Sequence, residues 1–139
     1  MAAEDDITAA LFARIAALSL TPAHPLAMPN VAFTPPSNHR WLRVNEFPTV
    51  TRTAAIAHDG SNEFRGFVQI DVFAPLGEGI AGPKATAALV RQHMKRGTAL
   101  YSGTTRILIT NAVIQAGVES KPRWMVPVVI DYRAFAQNA

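Results

Sequence analysis

The chain has 139 residues, which allows one domain, and no cysteine, which excludes disulfide scaffolds, thiolate metal sites and cysteine nucleophiles. No apolar stretch approaches the ~20 residues of a membrane-spanning helix, and the acidic start MAAEDD lacks the basic region of a secretory signal, so a soluble protein assembled in a cytoplasm is expected. The net charge is +3, but Glu4, Asp5 and Asp6 hold three of the ten acids, so residues 7–139 carry +6, with ten of the 13 cations being arginine.

In chain order, the first expected element is a helix over 5–18. Ile7, Leu11, Ile15 and Leu18 recur at spacings of 4, 4 and 3, which puts them on one face. The acids at its start suit the positive end of a helix, and Asp5 or Asp6 can cap it. Residues 19–40 hold five of the ten prolines and form a connector, in which Val31 and Phe33 could add a short strand. Residues 41–47 are expected as a strand with Leu42 and Val44 on one face. Residues 49–62 are small and polar, end near the turn signal Asp59-Gly60, and are expected as a hairpin arm.

Residues 63–74 give the clearest strand, with Val68, Ile70 and Val72 on one side and Phe67, Gln69, Asp71 and Phe73 on the other. Both sides carry bulk, so the second face is expected to be partly covered. After a glycine-rich loop over 76–82, a second helix is expected over 83–96, with Pro83 at its first position. Its stripe would be Ala85, Ala88, Leu89 and Gln92, with Met94 near the end. Lys95 and Arg96 would face the C-terminal dipole, with Gly97 as the closing glycine. Strands are expected over 98–101, 104–116 and 123–133. In the last, Pro127 cannot donate to a ladder and marks an edge or a bulge. The whole is a single α+β domain, a mostly antiparallel sheet with two helices on one face.

Few motifs offer chemistry. Gly77-Glu78-Gly79-Ile80-Ala81-Gly82 matches the G-x-G-x-x-G pattern between a strand and a helix, where backbone N–H groups can meet a pyrophosphate. No acid for a ribose occurs between Glu78 and Glu119, Glu78 puts negative charge in the cradle, and Pro83 removes an N–H, so an ordinary loop is the better reading. His24, His39, His58 and His93 share no metal-ligand spacing, and His58-Asp59 near Ser61 reads as a surface turn. Asp71 and Asp131 are expected to pair with Arg65 and Arg133 on the sheet. Arg91, Lys95 and Arg96 cluster on the second helix, but the other cations are dispersed and form no stripe of the nucleic-acid-binding kind. No catalytic constellation, metal site or cofactor site is expected.

Three segments carry a family resemblance. They are Asn30-Val31-Ala32-Phe33-Thr34-Pro35-Pro36 with Trp41-Leu42-Arg43-Val44-Asn45; Arg65-Gly66-Phe67-Val68-Gln69-Ile70-Asp71-Val72-Phe73 running into Pro75-Leu76-Gly77-Glu78-Gly79; and Trp124-Met125-Val126-Pro127-Val128-Val129-Ile130-Asp131-Tyr132-Arg133. With a helix ahead of them, their combination and order resemble the tail-terminator-like proteins of long-tailed, non-contractile phages (siphoviruses). The resemblance covers most of residues 5–134, and residues 46–62 match nothing in it. It implies a lambda-type tail-terminator fold and a structural virion protein, not an enzyme. Such proteins form a ring, usually a hexamer, on the head-proximal end of the tail tube. The ring stops tube polymerisation, docks the neck or head-completion protein, and lets DNA pass without reading its sequence. The expected partners are therefore the protein itself, the major tail tube protein and a neck protein, with no membrane.

On this reading Arg52, Phe64, Arg65, Arg123 and Trp124 are expected at subunit contacts. Arg91, Lys95 and Arg96 are expected to face the lumen or an acidic partner. The arm and connector would complete themselves on neighbours, and the Pro127 strand would be a blunted edge. The alternatives are another virion ring protein of similar fold, from the neck or tube, and a small nucleic-acid-binding module.

Overall fold

The computed structural model describes residues 3–20, 24–36, 39–53 and 61–137. The tip of the expected arm, with His58 and Asp59, lies outside them. The elements are α1 (Ala3–Ala16), β1 (Leu26–Ala27), β2 (Trp41–Thr53), β3 (Ser61–Pro75), α2 (Ala81–His93), β4 (Ala99–Ser102), β5 (Thr105–Ile114), β6 (Val118–Ser120) and β7 (Arg123–Gln137). The fold is α+β, as the sequence predicts. One seven-stranded sheet runs in the order β1-β2-β3-β7-β5-β4, with β6 also on β7, and curls into a half-barrel. Among the described residues only β1 pairs in parallel, with β2, and the other ladders are antiparallel.

Both helices lie on one face of this sheet. Ile7, Leu11 and Ile15 of α1 and Ala87, Val90 and Met94 near α2 enter the same core as Val44, Val68, Ile70, Val128 and Ile130. The period-2 alternation of β3 and β7 sends these even-numbered residues to the helix side and the odd-numbered ones to the open side. The helices also meet each other at their ends. The Arg14 guanidinium donates to the His93 carbonyl at 2.9 and 3.2 Å, and His93 Nε2 stands 2.6 Å from the Arg14 carbonyl. A carbonyl only accepts, so Nε2 carries the proton. Arg14 thus occupies the C-terminal carbonyl region of α2 that Lys95 and Arg96 were expected to complement.

Several expectations change. The short strand of the connector is Leu26–Ala27, not Val31 and Phe33; Val31 is exposed and Phe33 packs on Trp41 instead. Asp6 does not cap α1. It lies inside the helix and accepts from Ser102 and Thr105, tying α1 to the β4–β5 hairpin. The buried stripe of α2 is Pro83, Thr86, Ala87 and Val90, whereas Leu89 is 54% exposed. The helix starts two residues before Pro83, and Pro83 still falls in the first turn, where no intrahelical N–H is needed. Gly97 closes no helix. It sits at positive φ in the turn after α2, and its N–H bonds to the Ile109 carbonyl.

Pro127 is not at an edge. β7 lies between β3 and β5, and its ladder survives because the Pro127 carbonyl accepts from Gln115 one residue past the end of β5. A strand residue's N–H and C=O point to the same side, so the missing donor falls where no strand needs it. The expected arm is β-structure through Thr53 and from Ser61, but it is not free-standing. Its β3 half, Ser61 and Asn62, pairs with Gln137 and Ala136 of β7 in the same chain.

Candidate interaction surface

The odd-numbered residues of β2, β3 and β7 build the sheet face that the helices leave open. At one end the connector covers it: Trp41 stacks on Phe73 at 4.3 Å and Phe33 tilts against Trp41 at 5.0 Å. Beyond that patch the face is charged. Asp71 has almost no exposure, lies opposite Arg43, and accepts from the Arg43 guanidinium at 2.9 and 3.2 Å and from Gln69 at 2.8 Å. Arg65 and Arg133 sit directly opposite one another, an arrangement of like charges that would repel. Glu63, 2% exposed, resolves it by accepting from Arg65 at 2.8 Å and from Arg133 at 2.6 and 2.8 Å.

The acids therefore lie beneath and the arginines above, with side chains 41–45% exposed. Guanidinium groups also cover aromatic rings: Arg43 over Phe73, Arg133 over Phe135 and Arg123 over Trp41. Phe47, 42% exposed, stacks on Phe67 beside a hollow of about 470 Å³ that includes Arg65, Asp131 and Arg133. Arginine with exposed aromatic rings, and no lysine among them, is the composition of protein-contact surfaces.

Tyr132 faces the helix side at the level of this hollow. Its ring lies over Gly66, where an added Cβ would come within 2.7 Å of the phenol oxygen and 2.6 Å of the Phe47 carbonyl. Burial, then the charge of the neighbouring Glu46 carboxylate and its hydrogen bond, push the phenol up to about 12. Glu46 also accepts from Thr8 of α1 at 2.6 Å.

The expected contact residues do not form one cluster. Arg65 is on the open face, and Arg123 stands at its covered end against Trp41. Phe64 is 7% exposed and belongs to the subunit's own core. Trp124 points to the helix side and packs against that core. Its indole N–H finds no acceptor among the described residues, and a Cβ on Gly117 would strike the ring. Arg52 lies on β2 opposite Glu63 in the register. Arg91, Lys95 and Arg96 line a second surface, beside α2.

Asp71 and the two arginines do not pair as the sequence suggests; Glu63 takes both Arg65 and Arg133. Sequence reading passed over Glu63, and only the β3–β7 register brings it between them. The glycine loop has no open cradle. Arg40 donates to Glu78 at 2.7 Å, a second guanidinium nitrogen closes the ion pair, and both side chains crowd over Gly82. Among the described residues no group of three or more His, Cys, Asp or Glu side chains could hold a metal ion, and no helix is long and apolar enough to cross a membrane.

Five chains of solved structures match; one of them is 29% identical, with a TM-score of 0.75 and 94% of each chain covered. No curated protein matches. A family model described as phage tail terminator protein matches residues 6–132, nearly the whole domain, and the chain belongs to the phage tail terminator family.

Proposed function

We propose that this protein assembles into a ring, a hexamer on the family pattern, on the head-proximal end of a siphovirus tail tube. There it ends polymerisation of the tube protein and offers the docking surface for the neck or head-completion protein. DNA crosses the lumen without sequence recognition. The observation that carries this reading is the family match over residues 6–132, on a domain whose open sheet face exposes ordered arginines and Phe47. In this reading the exposed arginines Arg43, Arg65 and Arg133, with Phe47, meet a neighbouring polypeptide, and the carboxylates of Asp71 and Glu63 hold their heads in place. Arg52 and Arg123 belong to the same contact set.

A ring formed this way needs a heterologous interface that closes. The test is electron microscopy of the purified protein with tail tubes, together with its mass in solution. Rings seated on one tube end, and tubes that stop growing when the protein is added, are expected. A protein that stays monomeric and decorates no tube end overturns the reading.

A further inference from the structure

A cationic groove runs along α2 on the helix side of the sheet. Two hollows, of about 440 and 410 Å³, meet at Arg91. The first also takes in Lys84 and Trp124; the second is lined by Arg91, Gln92, Lys95, Arg96, Asn111 and Ala112. Lys84, Arg91, Lys95 and Arg96 are exposed, and none makes a side-chain ion pair or hydrogen bond with a described residue. No acid occurs between Glu78 and Glu119, so the segment that builds the groove holds nothing to neutralise them.

The complementary charge sits elsewhere in the same chain. Most acids of the described residues are engaged: Glu46 by Thr8, Glu63 and Asp71 by arginines, Glu78 by Arg40, and Asp6 by Ser102 and Thr105. Of the rest, Asp131 is half-buried and Glu119 stands singly on β6, whereas Glu4 and Asp5, in the first turn of α1, are adjacent, exposed and have no side-chain partner among the described residues. They do not reach the groove of their own chain. Arg14, at the other end of α1, is the residue that touches His93 next to the groove, and Asp5 lies about 14 Å up the helix from it at 1.5 Å per residue.

We propose that the groove beside α2 receives the acidic first turn of α1 from a second copy of the chain. Glu4 and Asp5 of one copy meet Arg91, Lys95 and Arg96 of the next. The two surfaces differ, so the contact is head-to-tail, which is what a ring requires. Opposite charges brought together at such a contact set its register and exclude the like-charged alternative. A nucleic-acid backbone is the lesser fit: among the described residues Lys84, Arg91, Lys95 and Arg96 are the only cations lining the two hollows, a short row for the many phosphate contacts of a duplex-binding surface.

The proposal rests on the ring reading, and a charge swap separates the two. The double variants Arg91→Glu/Lys95→Glu and Glu4→Lys/Asp5→Lys are each expected to fail to assemble, in solution or on tubes, where the wild type does. Mixed one to one, they are expected to assemble again, because each acidic groove then finds a basic first turn and each basic groove an acidic one. Lysines at a helix N-terminus oppose its dipole. The milder Glu4→Gln/Asp5→Asn variant, checked by circular dichroism for unchanged helix content, should therefore weaken assembly at least tenfold in the same sense. Assembly of either double variant alone overturns the contact and leaves the ring intact, as does a mixture of folded variants that stays apart. Normal assembly of Arg91→Glu/Lys95→Glu with lost, salt-sensitive binding of a 30-base-pair duplex assigns the groove to DNA instead. A wild type that never assembles overturns the ring reading itself.

Discussion

On the helix side of the sheet, Val68, Ile70, Val128 and Ile130 are completely covered, by α1, α2 and one another. On the other side, the same strands bury Glu63 and Asp71 almost as fully, beneath arginines of their own chain, with Gln69 also bonded to Asp71. The first face gains its stability from apolar area removed from water. The second gains little net stability from its ion pairs, because desolvating a charge offsets most of the attraction. What it gains is order: three guanidinium heads are fixed above a sheet that would otherwise present flexible cations. One face holds the fold, and the other holds its exposed arginines in a preorganised array.

Substitutions can break this comparison, and the largest effect belongs to the helix side. Ile130→Ala is expected to cost about 2–5 kcal/mol by emptying the centre of the core. Urea denaturation would measure it. On the open side, Glu63→Gln keeps the shape but leaves Arg65 and Arg133 facing each other across the strands. An expected loss of about 1–3 kcal/mol follows, smaller because both arginines reach solvent. An open-face loss equal to that of Ile130→Ala would refute the division between the faces.

The smallest expected effect is a pH dependence. Tyr132 is raised in the folded chain from 10.0 to about 12. Below pH 10 the phenol is protonated in both states and stability is unaffected. Between pH 10 and 12 the unfolded chain releases the proton first, so stability falls as pH rises. Melting curves at pH 9 and pH 11 should therefore lie closer together in Tyr132→Phe than in the wild type.

Much of the helix side was legible in the sequence. The 4-4-3 spacing of α1 and the alternation of β3 and β7 name the core directly, because burial acts on each residue where it stands. The phase of α2 was not legible. Its large apolar residue Leu89 faces solvent, while Thr86 goes inside and bonds the Gly82 carbonyl and Arg40. The β6 strand was missed because all three of its residues are exposed and give no alternation. The open face was read by composition but paired wrongly. Which acid meets which arginine depends on the register between strands some 70 residues apart, and no local pattern states that register.

Pro127 bears on that register in a way its position inside the sheet does not suggest. Alternation of buried and exposed residues rules out a slip of one residue between strands, since every side chain would change face. A slip of two keeps the faces, and the core alone discriminates against it weakly. Were β5 to slide two residues further along β7, Val113 would come opposite Pro127, and a rung inside the β5–β7 ladder would lose the donor that proline does not have. The proline thus works as a ruler, marking the last rung at which β5 can stop and fixing how far along α2 the strand that walls the cationic groove extends.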